Sequence, residues 1–199
     1  MPIYTIFAGV NGAGKSTLYE AIDIPSDELG VRINFDEIIR NELGNKWNDL
    51  KIQSAAGKRA VQLIKKCLSE GLNFNQETTL TGHSIITTAK RARAKGFRIY
   101  LHYVGLSSAE LSIERVEERV KKGGHGIPRE ILLRRYENSF ENLKKLLPLC
   151  DKATIYDNSK SDKESISHIR PVLHIKGGAI IRYSRDYPQY LKAIIGGLI

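Results

Sequence analysis

The chain has 199 residues, 41% hydrophobic and 27% charged, which suits one globular domain and excludes a disordered or collagen-like chain. No apolar run approaches the ~20 residues a membrane helix needs. Gly9 interrupts the apolar start and no basic segment precedes it, so a signal peptide is not expected either and a cytoplasmic location is. The net charge of +9 admits nucleic acid or a phosphorylated small molecule as partner. The two cysteines, Cys67 and Cys150, give neither a metal spacing nor a disulfide framework and are expected as buried free thiols.

Ile3-Tyr4-Thr5-Ile6-Phe7 is β-branched and aromatic and reads as a short buried strand. It runs into Ala8-Gly9-Val10-Asn11-Gly12-Ala13-Gly14-Lys15-Ser16-Thr17, in which Gly9 and Gly14 stand four residues apart and Lys15 and Ser16 follow, the pattern of a phosphate-binding P-loop. The glycines let the backbone curl its N–H groups around phosphate oxygens, and the next helix presents its positive end to the same anion. Gly9, Asn11, Gly12, Ala13, Gly14, Lys15, Ser16 and Thr17 are therefore the expected nucleotide-binding residues. Lys15 would reach the β- and γ-phosphates and the Ser16 hydroxyl would ligate Mg²⁺. The helix then runs through Leu18, Tyr19, Ala21 and Ile22 towards Pro25.

Gly30 to Phe35 reads as a second strand, with Asp36-Glu37 where a helix begins. Asp36 is open to two roles, N-cap of that helix or a group at a strand's carboxyl end that takes a hydroxyl proton or helps hold Mg²⁺. Trp47 to Asp49 form a polar connection. From Ile52 to Glu70, apolar Ala56, Ala60, Leu63, Ile64, Cys67 and Leu68 recur at helical spacing before Gly71. Leu72 to Gln76 is the next strand, leading to Glu77-Thr78-Thr79-Leu80-Thr81-Gly82. That polar cluster is either a loop with capping hydroxyls or a substrate contact.

Ser84 to Lys95 reads as a helix and Phe97 to Val104 as a buried strand, with His102 inside it as a structural histidine. Ser107 to Lys122 is helical, Ser107 capping it with Glu110 three residues on. Arg115 and Arg119 share a face, being four apart. Gly123-Gly124-His125-Gly126-Ile127-Pro128 then leads to a helix bearing Arg134 and Arg135. Two helices joined by a basic, glycine-rich loop over about residues 115–136 would make a lid whose arginines stabilise a transferring phosphoryl group. Glu114, Glu117, Glu118 and Glu130 offer two of the four arginines ordinary surface ion pairs instead. The basic patches Lys65-Lys66 and Lys90-Arg91-Arg93-Lys95 read as solvated helix faces.

Leu149 to Tyr156 is another strand, and Asp157-Asn158-Ser159 after it is a turn or a nucleobase edge. Ser165 to Ile169 is weakly patterned; Val172 to Ile175 and Ala179 to Tyr183 form a hairpin turned at Lys176-Gly177-Gly178; Tyr187 to Ile195 is a last helix. Alternating strands and helices make an α/β fold, a mostly parallel sheet with helices on both faces. Residues 1–199 are expected as one domain with a C-terminal appendage over about 165–199.

These segments together resemble the zeta-toxin family of P-loop small-molecule kinases, in its short stand-alone form. The resemblance rests on Gly9 to Thr17, Asn34-Phe35-Asp36-Glu37-Ile38, Glu77-Thr78-Thr79-Leu80, Arg119 to Pro128, Arg134-Arg135-Tyr136 and Tyr156-Asp157-Asn158-Ser159. It implies transfer of a phosphoryl group from ATP, with Mg²⁺, to a hydroxyl of a sugar nucleotide such as UDP-N-acetylglucosamine, and a possible antitoxin partner. The family's base falls on Asp36, its substrate-holding residues on Glu77 and on Thr79 with Thr78 beside it, and its phosphate-clamping arginines on Arg119 and on Arg134 or Arg135. The loop from Gly123 to Pro128 is longer than the lid of the best-known members, which leaves the second arginine open. A competing reading, prompted by the charge, is an NTP-binding or NTP-hydrolysing module acting on nucleic acid; the sequence contains no recognisable RNA- or DNA-binding motif.

Overall fold

A strand buried on both faces belongs in the middle of a parallel sheet, and β1 (Ile3–Ala8) lies there, with Tyr4 through Ala8 all withdrawn from solvent. The computed structural model describes residues 1–44, 46–47, 49–160, 169–192 and 196. After β1 come α1 (Lys15–Ala21), α2 (Ser26–Leu29), β2 (Val31–Ile33), α3 (Phe35–Glu42), α4 (Leu50–Glu70), β3 (Phe74–Thr78) and α5 (Ser84–Ala94). β4 (Arg98–Gly105), α6 (Ala109–Lys121), α7 (Arg129–Leu146), β5 (Lys152–Asp157), β6 (Arg170–Lys176) and β7 (Ala179–Tyr183) complete the order. The sheet runs β2-β3-β1-β4-β5-β6-β7, parallel through β5, with β6 and β7 added antiparallel. The expected hairpin is therefore present, and it extends the main sheet.

Helices cover both faces. On one, Ile64, Cys67 and Leu68 of α4, Ile85, Ala89 and Ala92 of α5 and Leu143 and Leu146 of α7 pack on Tyr4, Ile6, Ile99 and Leu101. On the other, Leu18 of α1 and Leu29 of α2 pack on Phe7 and Val104. Both cysteines are buried free thiols, and among the described residues no helix is long and apolar enough to cross a membrane.

Several boundaries differ from expectation, each for a local reason. β3 starts at Phe74 because Gly71 ends α4 in a left-handed conformation (φ 66°) and the Leu72 N–H turns back to Cys67 O, at 3.0 Å. The strand consequently extends to Thr78 and carries Glu77 within it. Leu147–Leu149 close α7 as a 3₁₀ turn, so β5 begins only at Lys152. Ser108, not Ser107, caps α6, its Oγ accepting from Leu111 N–H at 3.2 Å, which moves Glu110 out of capping-box register. Helix α3 starts at Phe35 and is capped by Asn34, so Asp36 is not its N-cap. Near the C-terminus a 3₁₀ turn occupies Gln189–Leu191; the rest of the expected helix at 193–195, and the weakly patterned stretch at 165–168, lie outside the described residues.

His102 is structural, as its strand position implies. Its ring stacks on Phe7 at 5.1 Å and its Nδ1 pairs with the Tyr156 hydroxyl at 3.1 Å. Burial lowers its pKa to about 4. The folded protein therefore refuses a proton that the unfolded chain accepts near pH 6.5. Stability is unaffected by this group above pH 6.5 and falls as pH drops from there towards 4. At about 1.4 kcal/mol per pH unit, His102→Gln should remove on the order of 2 to 3 kcal/mol of the stability difference between pH 7 and pH 4.5, read by urea unfolding at the two pH values; an unchanged difference would contradict this account.

Candidate functional site

The loop after β1 is shaped by its glycines. At Gly9 (φ 144°) a Cβ would run into the Val104 carbonyl of the neighbouring strand, and Gly14 (φ 92°) is the left-handed residue from which α1 starts. Lys15, the first residue of α1, folds back so that Nζ donates to Val10 O at 3.1 Å and lies 4.0 Å from Glu77 Oε1, its side chain only 10% exposed. Burial lowers its pKa, and the charges of Glu77 and Asp36 offset part of that. Ser16 Oγ lies 3.0 and 3.2 Å from the two Glu77 oxygens and donates to that carboxylate.

Glu77 is the meeting point. β3 lies between β1 and β2, so its end is reached from both sides: by Lys15 and Ser16 from the loop after β1, and by Arg32 and Asn34 from β2 and the turn after it. Arg32 Nη2 donates to Glu77 Oε2 at 2.7 Å and to Glu37 Oε1 at 3.0 Å, Nη1 donates to Asn75 Oδ1 at 3.1 Å, and the guanidinium lies 3.6 Å over the Tyr19 ring. Asn34 Nδ2 donates to Glu77 Oε2 at 2.9 Å. Beyond Glu77, Thr78 Oγ1 accepts from Leu80 N–H at 3.0 Å and Thr79 pairs with Thr81 at 3.1 Å. The threonine hydroxyls thus shape the loop as well as lining the cleft.

Asp36, in the first turn of α3, lines the same cleft. Its negative charge opposes the lowering of the Lys15, Arg135 and His125 pKa values, which places it among the cations. Across from it, Arg135 Nη1 donates to Asn11 Oδ1 at 2.9 Å. Arg119 Nη2 donates to His125 O at 3.0 Å, and Arg119 Nε is buried without a protein partner. Arg115 holds the loop itself, with Nη1 donating to Gly12 O at 3.3 Å and Nη2 to Asn158 O at 2.7 Å, while Asn158 Nδ2 donates to Ala13 O at 2.9 Å. Arg134 is on the exposed face of α7 and does not reach the cleft. Among the described residues none of these four arginines forms an ion pair with Glu114, Glu117, Glu118 or Glu130, contrary to the expectation that two would.

The cleft so enclosed has a volume of about 1220 Å³, room for a nucleotide and a second substrate. Its donors suit a polyphosphate: the N–H groups that open α1, Lys15, Arg135, and the unpartnered Nε of Arg119. The Ser16 hydroxyl and the Glu77 carboxylate beside it are hard oxygen donors of the kind Mg²⁺ prefers. Among the described residues no three acidic, histidine or cysteine side chains converge as a metal cage, so such an ion would draw its other ligands from phosphate and water.

Sequence reasoning misses Arg32 and Asn34. Asn34-Phe35-Asp36-Glu37 carries a signal that finds Asn34: an N-cap residue followed three positions later by glutamate. Arg32 has no such signal, because its partners come from other strands. The single tryptophan, Trp47, does more than belong to a polar connection; its indole stacks on the His125 imidazole with centroids 4.3 Å apart and planes at 8°, joining the loop before α4 to the loop between α6 and α7.

A family model described as Zeta toxin matches residues 1–167. A Haemophilus influenzae protein described as "Uncharacterized protein" is 35% identical over 130 residues, covering 65% of this chain and 89% of that protein. Among solved structures, the chain is similar to one from the characterization of the PezAT chromosomal toxin–antitoxin system of Streptococcus pneumoniae, with a TM-score of 0.63 and 19% identity over all of this chain and 84% of that one. It is also similar to the AvrRxo1-ORF1:-ORF2 structure with ATP, at TM-score 0.66 and 14% identity over 98% of this chain and 63% of that one. At these identities the two structures speak for the fold, and the AvrRxo1 chain is about half as long again.

The Trp47–His125 stack gives the site an intrinsic reporter. Burial and Arg119 lower the His125 pKa, and Asp36 partly restores it. Because a cationic imidazolium quenches indole emission more than a neutral ring, Trp47 fluorescence should fall on acidification with a midpoint below pH 6.5. Asp36→Asn should move that midpoint lower still, and His125→Gln should abolish it; a pH-independent emission in the parent protein would contradict the stacking geometry.

Proposed function

This chain belongs to the zeta-toxin family, and we propose that it is an ATP-dependent kinase that transfers the γ-phosphoryl group to a hydroxyl of a sugar nucleotide, UDP-N-acetylglucosamine or a close relative. The observation that carries this reading is the convergence of Lys15, Asp36, Glu77, Arg119 and Arg135 on one cleft, with Lys15 4.0 Å from the Glu77 carboxylate. A second carboxylate beside the phosphate loop, in a cleft with room for two substrates, suits an acceptor hydroxyl that has to be positioned and deprotonated.

In the proposed reaction Asp36 takes the proton of the acceptor hydroxyl as its oxygen attacks the γ-phosphorus. The bond to the β,γ-bridging oxygen breaks, and ADP leaves. Lys15, Arg119 and Arg135 stabilise the charge on the transferring group. Glu77, with Thr78 and Thr79 next to it, holds the acceptor. Mg²⁺, held by Ser16, would neutralise charge on the phosphate oxygens when bound. Residues from about 115 to 136, with Arg119 and Arg135 on facing helices, act as the lid that excludes water. Of the two arginines that the sequence leaves open, this reading assigns the phosphate contact to Arg135, which reaches the loop through Asn11.

The similarity to the PezAT structure, described as part of a toxin–antitoxin system, supports a protein antitoxin as a partner of this chain, and the AvrRxo1 structure with ATP supports ATP as the donor.

Purified protein, ATP and Mg²⁺ incubated with a panel of sugar nucleotides, nucleosides and free sugars should yield a UDP-sugar heavier by one phosphoryl group in mass spectrometry. Lys15→Ala and Asp36→Asn should each lower the transfer rate about 10²- to 10³-fold while keeping the native circular dichroism spectrum. ATP consumed with every acceptor unmodified, or full activity in folded Asp36→Asn, would overturn the reading.

A further inference from the structure

Asn34 is 6% exposed and every hydrogen-bonding position of its amide is used. Oδ1 accepts from the N–H groups of Asp36, at 2.9 Å, and Glu37, at 3.3 Å. Nδ2 donates to Glu77 Oε2, at 2.9 Å, and to Glu37 Oε1, at 3.1 Å. The partners fix the orientation of the amide, since turning it over would set its oxygen against two carboxylates and its NH₂ against two N–H donors. One small side chain therefore ties the first turn of α3, which carries Asp36, to the end of β3, which carries Glu77.

We infer that Asn34 is a positioning residue for the proposed transfer: it sets the separation of Asp36 from Glu77, and so the placement of the acceptor hydroxyl against its base. This rests on the kinase reading above. Capping alone does not require asparagine, because aspartate and serine cap helices comparably well. Only a side chain that accepts on one edge and donates on the other can cap α3 and hold Glu77 together. Arg32 gives Glu77 a second, cationic support on the same oxygen. It has no contact with the backbone of Asp36 among its hydrogen bonds, so it fixes one of the two groups and Asn34 fixes both.

The two functions of Asn34 are separable by substitution. Asn34→Asp keeps the cap and replaces the NH₂ facing Glu77 and Glu37 with a carboxylate oxygen. Asn34→Ser keeps the cap and is too short to reach Glu77, without adding charge. Asn34→Ser should melt within a few degrees of the parent and bind a fluorescent ATP analogue as tightly, while kcat/KM for the acceptor falls about tenfold or more; Asn34→Asp, which sets a third carboxylate against Glu77 and Glu37, should lose melting temperature as well. In Asn34→Asp the acid limb of the pH–rate profile should also move to higher pH, because an added negative charge disfavours ionisation of its neighbours. The decisive comparison is a double-mutant cycle with Glu77→Ala, which removes the group that Asn34 holds against Asp36. Asn34→Ser should cost about tenfold or more in the parent and little in the Glu77→Ala background. Equal costs in both backgrounds, or activity lost only in step with melting temperature, would overturn the inference and leave the kinase reading standing. Should the unmutated protein transfer no phosphate to any acceptor, the kinase reading fails and the inference falls with it.

Discussion

A carboxylate only 11% exposed has to be compensated where it sits, and the compensation of Glu77 organises this site. Its cations and donors come from both neighbouring strands: Lys15 and Ser16 beyond β1, Arg32 and Asn34 from β2 and the turn after it. That is possible because β3 is inserted between β1 and β2. The order of strands is thus what brings a phosphate loop and a proposed acceptor wall to opposite sides of one side chain, at the carboxyl edge where open parallel sheets bind their ligands.

The same arrangement explains the electrostatic balance of the cleft. Lys15 is buried enough for its pKa to fall, and Glu77 and Asp36 keep it from falling further. Arg119 and Arg135 come from α6 and α7; Arg135 reaches the phosphate loop through Asn11, and Arg119 is held by the carbonyl of His125 in the connection between the two helices. With the Nε of Arg119 lacking a protein partner, the wall facing Glu77 and Asp36 is richer in donors than the protein itself can satisfy, which is what a polyphosphate would complete.

The elements with strong local grammar were legible in the sequence. The P-loop, the amphipathic run of α4 with Gly71 at its end, the parallel β/α alternation and the C-terminal hairpin all follow from periodicity and turn chemistry. Boundaries shifted where a competing local structure won: the left-handed close of α4 delayed β3, and the 3₁₀ turn at Leu147–Leu149 delayed β5. Asp36 was ambiguous until Asn34 took the capping role and left Asp36 inside the cleft. Arg32 and the Trp47–His125 stack were not legible, because their partners are distant in sequence and no spacing rule connects them. The choice between Arg134 and Arg135 depended on the rotation of α7, which a run of two adjacent arginines does not reveal.

The most direct test of the account is a structure of the protein with a non-hydrolysable ATP analogue, Mg²⁺ and a UDP-sugar bound together. The account predicts the γ-phosphate against Lys15, Arg119 and Arg135, and an acceptor hydroxyl within hydrogen-bond reach of Asp36 with Glu77 beside it. An acceptor bound away from Asp36, or a γ-phosphate held without Lys15, would contradict it.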